Sequence, residues 1–259
     1  MSRIAYVNGR YVRHAEAAVH IEDRGYQFAD GVYEVCEVWH GKIVDERRHC
    51  DRLERSLREL GTEYLDLYLV HWPVPGKHVA AYLELEKCRA EGLVKSIGVS
   101  NYAAEDVDEL LDHPGVYITP AVNQIELNPF LYRPKTLKYM ADKGIVVQAY
   151  RALRDGKAFE DPTVLRVAAK HGKTAAQVMG AWCLAKGAVY MPKSTKKARM
   201  VENADVVSFQ LDGDDLAALD ALTTEDALAA FKALYEKCVV RDTPLPEDDP
   251  GIKRDITAG

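Results

Sequence analysis

In the second part of the chain, short apolar runs alternate with longer stretches of helical periodicity, and this alternation restricts the fold more than any other feature. The residues that close the first four runs, His71, Ser100, Leu127 and Tyr150, are separated by 29, 27 and 23 residues. Such an interval is the length of one strand, one helix and the return to the next strand. The next interval, to Lys193, is 43 residues and has room for two helices.

The runs therefore predict an α/β protein with a parallel sheet. Strands are expected at residues 64–71, 96–100, 122–127, 145–150 and 189–192, with helices such as 79–91 and 104–111 between them. A closed (β/α) barrel has eight such units. Five units predict a partial barrel derived from the TIM-barrel architecture, with function at the carboxyl ends of its strands.

The first part of the chain has a different pattern. Asn8-Gly9 separates two β-prone runs, which is a strong signal for a tight antiparallel turn, and a second hairpin is expected to turn at His40-Gly41. A helix is expected at residues 47–60. We therefore expect two domains, namely hairpins plus a linking helix at 1–60 and the partial barrel at 61–259.

Composition excludes several function classes. The formal net charge is -6, which argues against a nucleic-acid partner or an anionic membrane surface. No apolar stretch is long enough for a membrane span or a signal peptide. The five cysteines contain no CxxC pair, so the sequence predicts neither a disulfide framework nor a metal site. These features together predict a cytoplasmic protein.

Four segments of the second part, in this order, resemble the aldo-keto reductase family. They are Leu-Asp-Leu-Tyr-Leu-Val-His-Trp-Pro at 65–73, Ile-Gly-Val-Ser-Asn-Tyr at 97–102, Ala-Val-Asn-Gln-Ile-Glu-Leu-Asn-Pro at 121–129 and Met-Pro-Lys-Ser at 191–194. The resemblance covers about residues 53–259. It implies an oxidoreductase that binds NADP(H) and takes a small-molecule carbonyl substrate.

The resemblance also implies how the cofactor is held. Ser100, Asn101 and Gln124 match the residues that bind the nicotinamide carboxamide, and Tyr150 matches the ring that stacks on the nicotinamide. At the other end, Lys193, Ser194 and Arg199 match the clamp for the 2′-phosphate, and Glu202 and Asn203 match residues that meet the adenosine. NADP would then be preferred over NAD, because the clamp is cationic.

For catalysis, the resemblance implies His71 as the histidine that orients the carbonyl, with Trp72 lining the substrate position. The family's proton-donating tyrosine, with its lysine and aspartate, lies on barrel strands that have no counterpart among the predicted ones. Tyr68 is no substitute, because it lies three residues before His71 and points to the other face of the strand. Carbonyl reduction is therefore expected to be weak or absent. An active form would be an NADPH-dependent aldehyde or ketone reductase.

Residues 22–35 and 49–53 resemble the start of a D-amino-acid or branched-chain type pyridoxal-phosphate aminotransferase. Tyr33 and Arg52 would belong to its cofactor site, but the family's Schiff-base lysine lies in a domain that is missing here. Pyridoxal phosphate binding and aminotransferase activity are therefore not expected. The two resemblances meet near residues 53–60, which favours a chimera made by recombination or design.

Each of these assignments has an alternative. His71 alone could be structural, Ser100, Asn101 and Gln124 could cap strand ends, and the basic residues at 193–199 could form a solvated helix start. The chain as a whole could be a non-enzymatic chimeric fold. Its open sheet edges would then favour a homodimer.

Overall fold

The computed structural model describes residues 61–238 in full, together with Arg58, the backbone of residues 239 and 240, and the backbone of four short strands near the N-terminus. Those four strands form two antiparallel ribbons. In the first ribbon β1 pairs with β2, and in the second β3 pairs with β4. Their bounds are Ile4–Val7, Arg10–Arg13, Val38–Trp39 and Lys42–Ile43. The helix predicted at 47–60 lies outside the described residues, apart from Arg58.

A parallel five-stranded sheet forms the centre of the described part, with its strands in sequence order. This confirms the predicted parallel α/β sheet. The strands are β5 (Leu65–Val70), β6 (Val94–Ser100), β7 (Val122–Glu126), β8 (Val146–Tyr150) and β9 (Val189–Tyr190). The last strand is two residues long instead of the expected four, because only Val189 and Tyr190 pair with β8.

Eight α-helices are described, and at least one follows each strand of the sheet. Between β8 and β9 lie two helices, as the 43-residue interval predicts. The helices are α1 (His78–Ala90), α2 (Ala104–Leu111), α3 (Pro134–Asp142), α4 (Pro162–His171), α5 (Ala175–Ala185), α6 (Lys197–Ala204), α7 (Gly213–Asp220) and α8 (Glu225–Val240). None of the helices in this part of the chain is long and apolar enough to cross a membrane.

The two faces of the sheet differ in polarity. Ile97 and Val99 of β6 and Ile125 of β7 are fully buried on the face that packs against the helices, and each contributes about 1.5–3 kcal/mol by its burial. The opposite face carries Ser100 and Gln124, which are paired in register. Polar groups of neighbouring strands therefore collect on one face, at the carboxyl ends.

Gly98 allows β6 and β7 to approach closely just before those ends. A Cβ atom at this position would lie 2.5 Å from the carbonyl oxygen of Val122 and 2.8 Å from Cδ2 of Leu69. Backbone atoms cannot give way to such a contact, so any side chain here would push the strands apart. The small residue thus fixes the spacing on which the strand-end groups depend.

The strands β5 and β9 are the two edges of the sheet as described. An eight-stranded barrel would continue beyond both edges. Pairing of these edges with a second copy of the chain stays a prediction.

Asp215, at the start of α7, lies at the centre of the contact between α4 and α7. Lys170 Nζ donates to Asp215 Oδ1 (2.8 Å), and His171 Nε2 lies 2.7 Å from Oδ2. Burial opposes the carboxylate charge, but these hydrogen bonds outweigh it and lower the pKa of Asp215 to about 2.

We expect Asp215→Asn to lower the free energy of unfolding by about 2 kcal/mol at pH 7. Because the folded pKa lies below the unfolded value of about 3.9, this stabilisation is complete above about pH 5 and is lost as the pH falls towards 2. Urea unfolding of the original protein and of Asp215→Asn, at pH values between about 2 and 7, measures this difference in the free energy of unfolding. Asp214→Asn, on the exposed side of the same turn, is the control, and equal losses in both variants would contradict the assignment.

Candidate functional site

The carboxyl ends of β6, β7 and β8 bring four of the predicted site residues together. Ser100 Oγ donates to the backbone oxygen of Gln124 (2.7 Å), and Asn101 Nδ2 donates to Ser100 Oγ (3.1 Å). The hydroxyl of Tyr150 donates to Asn101 Oδ1 (2.7 Å). Gln124 Nε2 donates to Gln148 Oε1 (3.0 Å). We call Ser100, Asn101, Gln124 and Tyr150 the strand-end set.

Asn101 joins this set to the end of β5. Its Nδ2 also donates to the backbone oxygen of His71 (3.0 Å), and its backbone N–H donates to the oxygen of Gln124 (3.0 Å). Its φ of 63° lies in the left-handed region, which asparagine adopts more readily than most residues. Ser100 and Asn101 are only 3% and 4% exposed, so their polar atoms bond one another and not water.

His71 follows β5 and stands edge-on to Trp72, with ring centroids 5.9 Å apart. The residue remains partly exposed, yet desolvation lowers the pKa of His71 from its usual value. It is therefore neutral at neutral pH and can donate one N–H. Tyr68 pairs in register with Ile97 on the helix-packed face, which agrees with the prediction that it points away from the site.

Tyr150 is a hydrogen-bond donor and not an acid in this arrangement. Burial, with a smaller contribution from the charge of Glu126, raises the pKa of Tyr150 well above its usual range. Its proton is engaged by Asn101. The hydroxyl of Tyr150 therefore holds the amide of Asn101 in place.

Helix α8 packs beside this set, and sequence reasoning missed it. Leu228, Phe231 and Tyr235, spaced three and four residues apart, form a buried cluster with Leu131 and the partly buried Trp72. That spacing is the signal that could have found the helix. The ring of Tyr235 stands edge-on to Trp72 (5.9 Å), and its hydroxyl donates to Asp106 Oδ2 (2.5 Å).

Three charged residues around the end of β7 were also missed as site residues. Glu126 is 6% exposed, and its Oε2 pairs with Arg151 Nη1 (3.1 Å). Arg151 also pairs with Asp155 (3.1 Å), so it is held by two carboxylates. Arg133, at the start of α3, places its guanidinium 4.7 Å from the ring of Phe231.

The predicted 2′-phosphate clamp lies after β9, the neighbour of β8. Lys193 and Arg199 are exposed, and neither forms an ion pair with the described part of the chain. Ser194 Oγ accepts from the backbone N–H of Lys196 (3.1 Å), just before α6. No side chain caps the N-terminus of α6. The run is thus basic, solvated and next to free helix amides.

The two adenosine residues lie on α6. Asn203 is buried, and its Oδ1 lies 3.4 Å from the hydroxyl of Tyr190, whereas Glu202 is partly exposed. Within residues 61–238, no direct hydrogen bond or ion pair joins α6 to the strand-end set. The predicted residues therefore form two groups, on neighbouring strands. No group of metal-binding side chains is found in the same range.

Comparison with known proteins identifies the family. The family model described as Aldo/keto reductase family matches residues 39–224. The chain belongs to the aldo/keto reductase family. The match begins before Leu53, where the resemblance was expected to start.

Individual relatives agree with this assignment. The uncharacterized oxidoreductase YtbE of Bacillus subtilis is 37% identical over 202 residues, which cover 78% of this chain and 71% of that protein. Aldose reductase B of Dictyostelium discoideum is 36% identical over 251 residues, covering 85% of this chain and 78% of that protein. A crystal structure of a Gox0644 mutant in complex with NADPH is 37% identical, with a TM-score of 0.63. That match covers 69% of this chain and 66% of the other.

Membership explains the five-stranded sheet as part of an aldo/keto reductase fold. The resemblance of the first part to an aminotransferase, and the origin of the chain as a chimera, receive no support from these comparisons. Tyr33 and Arg52, on which that resemblance rests, lie outside the described residues. Both ideas stay predictions.

Asn101 offers a direct test of the strand-end set. We expect Asn101→Ala to lower the free energy of unfolding by about 2–4 kcal/mol, because the bonds to Tyr150 and His71 are lost and alanine is strained at a positive φ. Asn101→Gly loses the same bonds without the strain, so it should be about 1 kcal/mol more stable than Asn101→Ala. Thermal unfolding of the two variants separates the loss of the hydrogen bonds from the backbone strain. Indistinguishable variants would contradict the role of the backbone conformation.

Proposed function

We propose that this protein is an NADP(H)-binding oxidoreductase of the aldo/keto reductase family in which carbonyl reduction is slow. The observation that carries the proposal is the strand-end set, which collects two amides, one hydroxyl and one aromatic ring at the ends of three adjacent strands. The Gox0644 structure that resembles this chain contains NADPH, which supports the choice of cofactor.

The chemistry of the strand-end set fits a nicotinamide carboxamide. A carboxamide has one acceptor oxygen and two N–H donors. Asn101 and Gln124 can each supply both a donor and an acceptor, and Ser100 adds a hydroxyl. In this structure the Asn101 amide bonds to Ser100 and Tyr150, the Ser100 hydroxyl to the backbone oxygen of Gln124, and the Gln124 amide to Gln148, at 2.7–3.1 Å. A carboxamide would exchange some of these bonds for its own. The ring of Tyr150 would carry the nicotinamide face.

The basic run after β9 fits the 2′-phosphate. Seven other lysines in the described part are held by carboxylates, for example Lys173 by Asp205 at 2.7 Å. Lys193 and Arg199 are not paired there, which leaves their charge available to an anion. Together with the uncapped amides of α6 they favour a phosphate over a neutral hydroxyl. This supports NADP(H) over NAD(H).

His71 is the residue that would touch the carbonyl group. NADPH, when bound, supplies the hydride. The neutral ring of His71 can donate one N–H to the carbonyl oxygen and so fix the substrate, beside the apolar surface of Trp72. A neutral imidazole is a weak acid, so the proton for the product alkoxide would come from water. Without a positioned acid, the rate would be lower by about 10²–10⁴-fold.

We further propose that the described sheet is five eighths of a (β/α)₈ barrel. The five parallel strands carry their polar groups at the carboxyl ends on the face away from the helices, as barrel interiors do. A non-enzymatic chimeric fold would keep this sheet without binding a cofactor. Cofactor binding therefore separates the two possibilities.

Titration with NADPH, followed by nucleotide fluorescence, should give saturable binding. The double variant Lys193→Gln/Arg199→Gln should bind NADPH roughly tenfold or more weakly while binding of NADH changes little, because only NADPH carries the 2′-phosphate. Arg166→Gln, an exposed arginine on α4, is the control and should behave as the original protein. An absence of saturable NADPH binding would remove the proposal in favour of the non-enzymatic fold.

Oxidation of NADPH by an aromatic aldehyde tests the catalytic part. We expect slow turnover that falls about tenfold further in His71→Ala, because a single neutral hydrogen bond to the carbonyl is lost. The NADPH dissociation constant should stay within about twofold, which separates orientation of the substrate from loss of the cofactor site. Turnover unaffected by His71→Ala would show that this residue has no such role.

A further inference from the structure

Arg133 is a buried cation whose donors are not satisfied. The residue is 3% exposed, and its Nη2 makes one long bond, of 3.4 Å, to the backbone oxygen of Glu126. Its Nε has no acceptor, and no carboxylate within the described part lies at ion-pairing distance from it. The nearby carboxylate of Glu126 is already paired with Arg151 (3.1 Å). Burial of a charge with incomplete pairing is costly, so the position calls for an explanation.

The charge of Arg133 persists despite its burial. Desolvation lowers the pKa of Arg133 only to about 10, which leaves the guanidinium protonated at neutral pH. Its neighbour Phe231 lies 4.7 Å away, and a contact of this kind offsets only part of the desolvation. The guanidinium is therefore a strong hydrogen-bond donor for an anion, and none of the described carboxylates forms an ion pair with it.

The surroundings of Arg133 have the composition of a ligand site. Phe231, beside the guanidinium, belongs to the same apolar cluster as Leu131 and Tyr235, and Trp72 packs against that cluster. Trp72 in turn adjoins His71. An apolar surface beside a buried guanidinium, close to the residue proposed to hold the carbonyl, is typical of a small-molecule site.

We propose that Arg133 binds the carboxylate of a carbonyl substrate whose apolar body lies against Leu131 and Trp72, in the place that Phe231 occupies here. This inference names the substrate class of the proposed oxidoreductase, so it rests on the function proposed above. A planar guanidinium and a carboxylate match in geometry and can form two parallel hydrogen bonds. Substrates of this protein are therefore carbonyl compounds that carry a carboxylate group.

Helix α8 has to shift for such a ligand to enter. Its contacts with the site include the ring of Phe231 on Arg133, the edge contact of Tyr235 with Trp72, and the bond from Tyr235 to Asp106. Loss of the Phe231 contact would be offset by the stronger, charge-assisted bonds to the carboxylate. The alternative is that Arg133 serves only to anchor α8 through Phe231, and the two possibilities predict different behaviour towards anions.

Binding of 4-fluorobenzoate to the full chain, without cofactor, tests the proposal. Fluorine NMR of the probe should show saturable binding, whereas the neutral 4-fluorobenzamide should bind roughly tenfold or more weakly. Arg133→Gln should lose this preference, and Arg133→Lys, which keeps the charge without the fork, should retain part of it. Lys135→Gln, an exposed cation on the first turn of the same helix, is the control and should change little.

Three results would overturn the proposal, and none depends on NADPH. They are no saturable binding of 4-fluorobenzoate, equal binding of the amide, and an unchanged preference in Arg133→Gln. Thermal unfolding identifies a variant that is merely unfolded, and Arg133→Lys then carries the comparison. A chain that binds the carboxylate but not NADPH would instead contradict the proposed cofactor and leave the carboxylate site in place.

Discussion

The side chain of Asn101 is the interaction on which the candidate site depends. One amide bonds to the backbone of His71 after β5, to Ser100 at the end of β6 and to the hydroxyl of Tyr150 at the end of β8. Three separate strand ends are thus tied by one buried residue. Its left-handed backbone conformation turns the chain after β6 so that the amide lies across the sheet. Any movement of one strand end is therefore transmitted to the other two.

The polar strand ends lie on the face of the sheet opposite the main apolar packing against the helices. Ile97, Val99 and Ile125 fill the helix side and hold the strands in register, whereas Gly98 lets β6 and β7 approach on the other side. The small residue Gly98 precedes the polar groups at the end of β6, and these groups hydrogen-bond to one another. Burial of such groups is tolerated only because nearly every donor finds an acceptor. Among the described residues, Nε of Arg133 is one of the few buried polar atoms without a hydrogen-bond partner, and it belongs to a charged group.

How much of the structure the sequence could predict depends on how far apart in the chain the interacting residues lie. Strand periodicity is local, so the positions of β5 to β8 and the exact bounds of α2 could be read from apolar residues alone. The residues of the strand-end set were predicted from the resemblance to the aldo-keto reductase family, and their grouping agrees with the meeting of parallel strand ends at one edge of the sheet. The helical spacing of Leu228, Phe231 and Tyr235 is also local, but the role of α8 and of Arg133 in the site arises from contacts between residues about 100 positions apart, such as Arg133 with Phe231. Single-residue patterns do not record such contacts.

The position of α8 links the occupancy of the site to the stability of the C-terminal part. Leu228, Phe231 and Tyr235 bury their side chains against the cluster that contains Leu131 and Trp72, and this burial stabilises the helix on the sheet. A ligand that takes the place of Phe231 removes one of these contacts but gains the guanidinium of Arg133. The shift of α8 and the binding of a ligand are then thermodynamically linked. A ligand shifts the equilibrium between the closed and open positions of α8 only by the difference in its affinity for the two. The helix therefore favours ligands whose negative charge can replace the contact of Phe231 with Arg133. In this way α8 itself contributes to substrate selectivity.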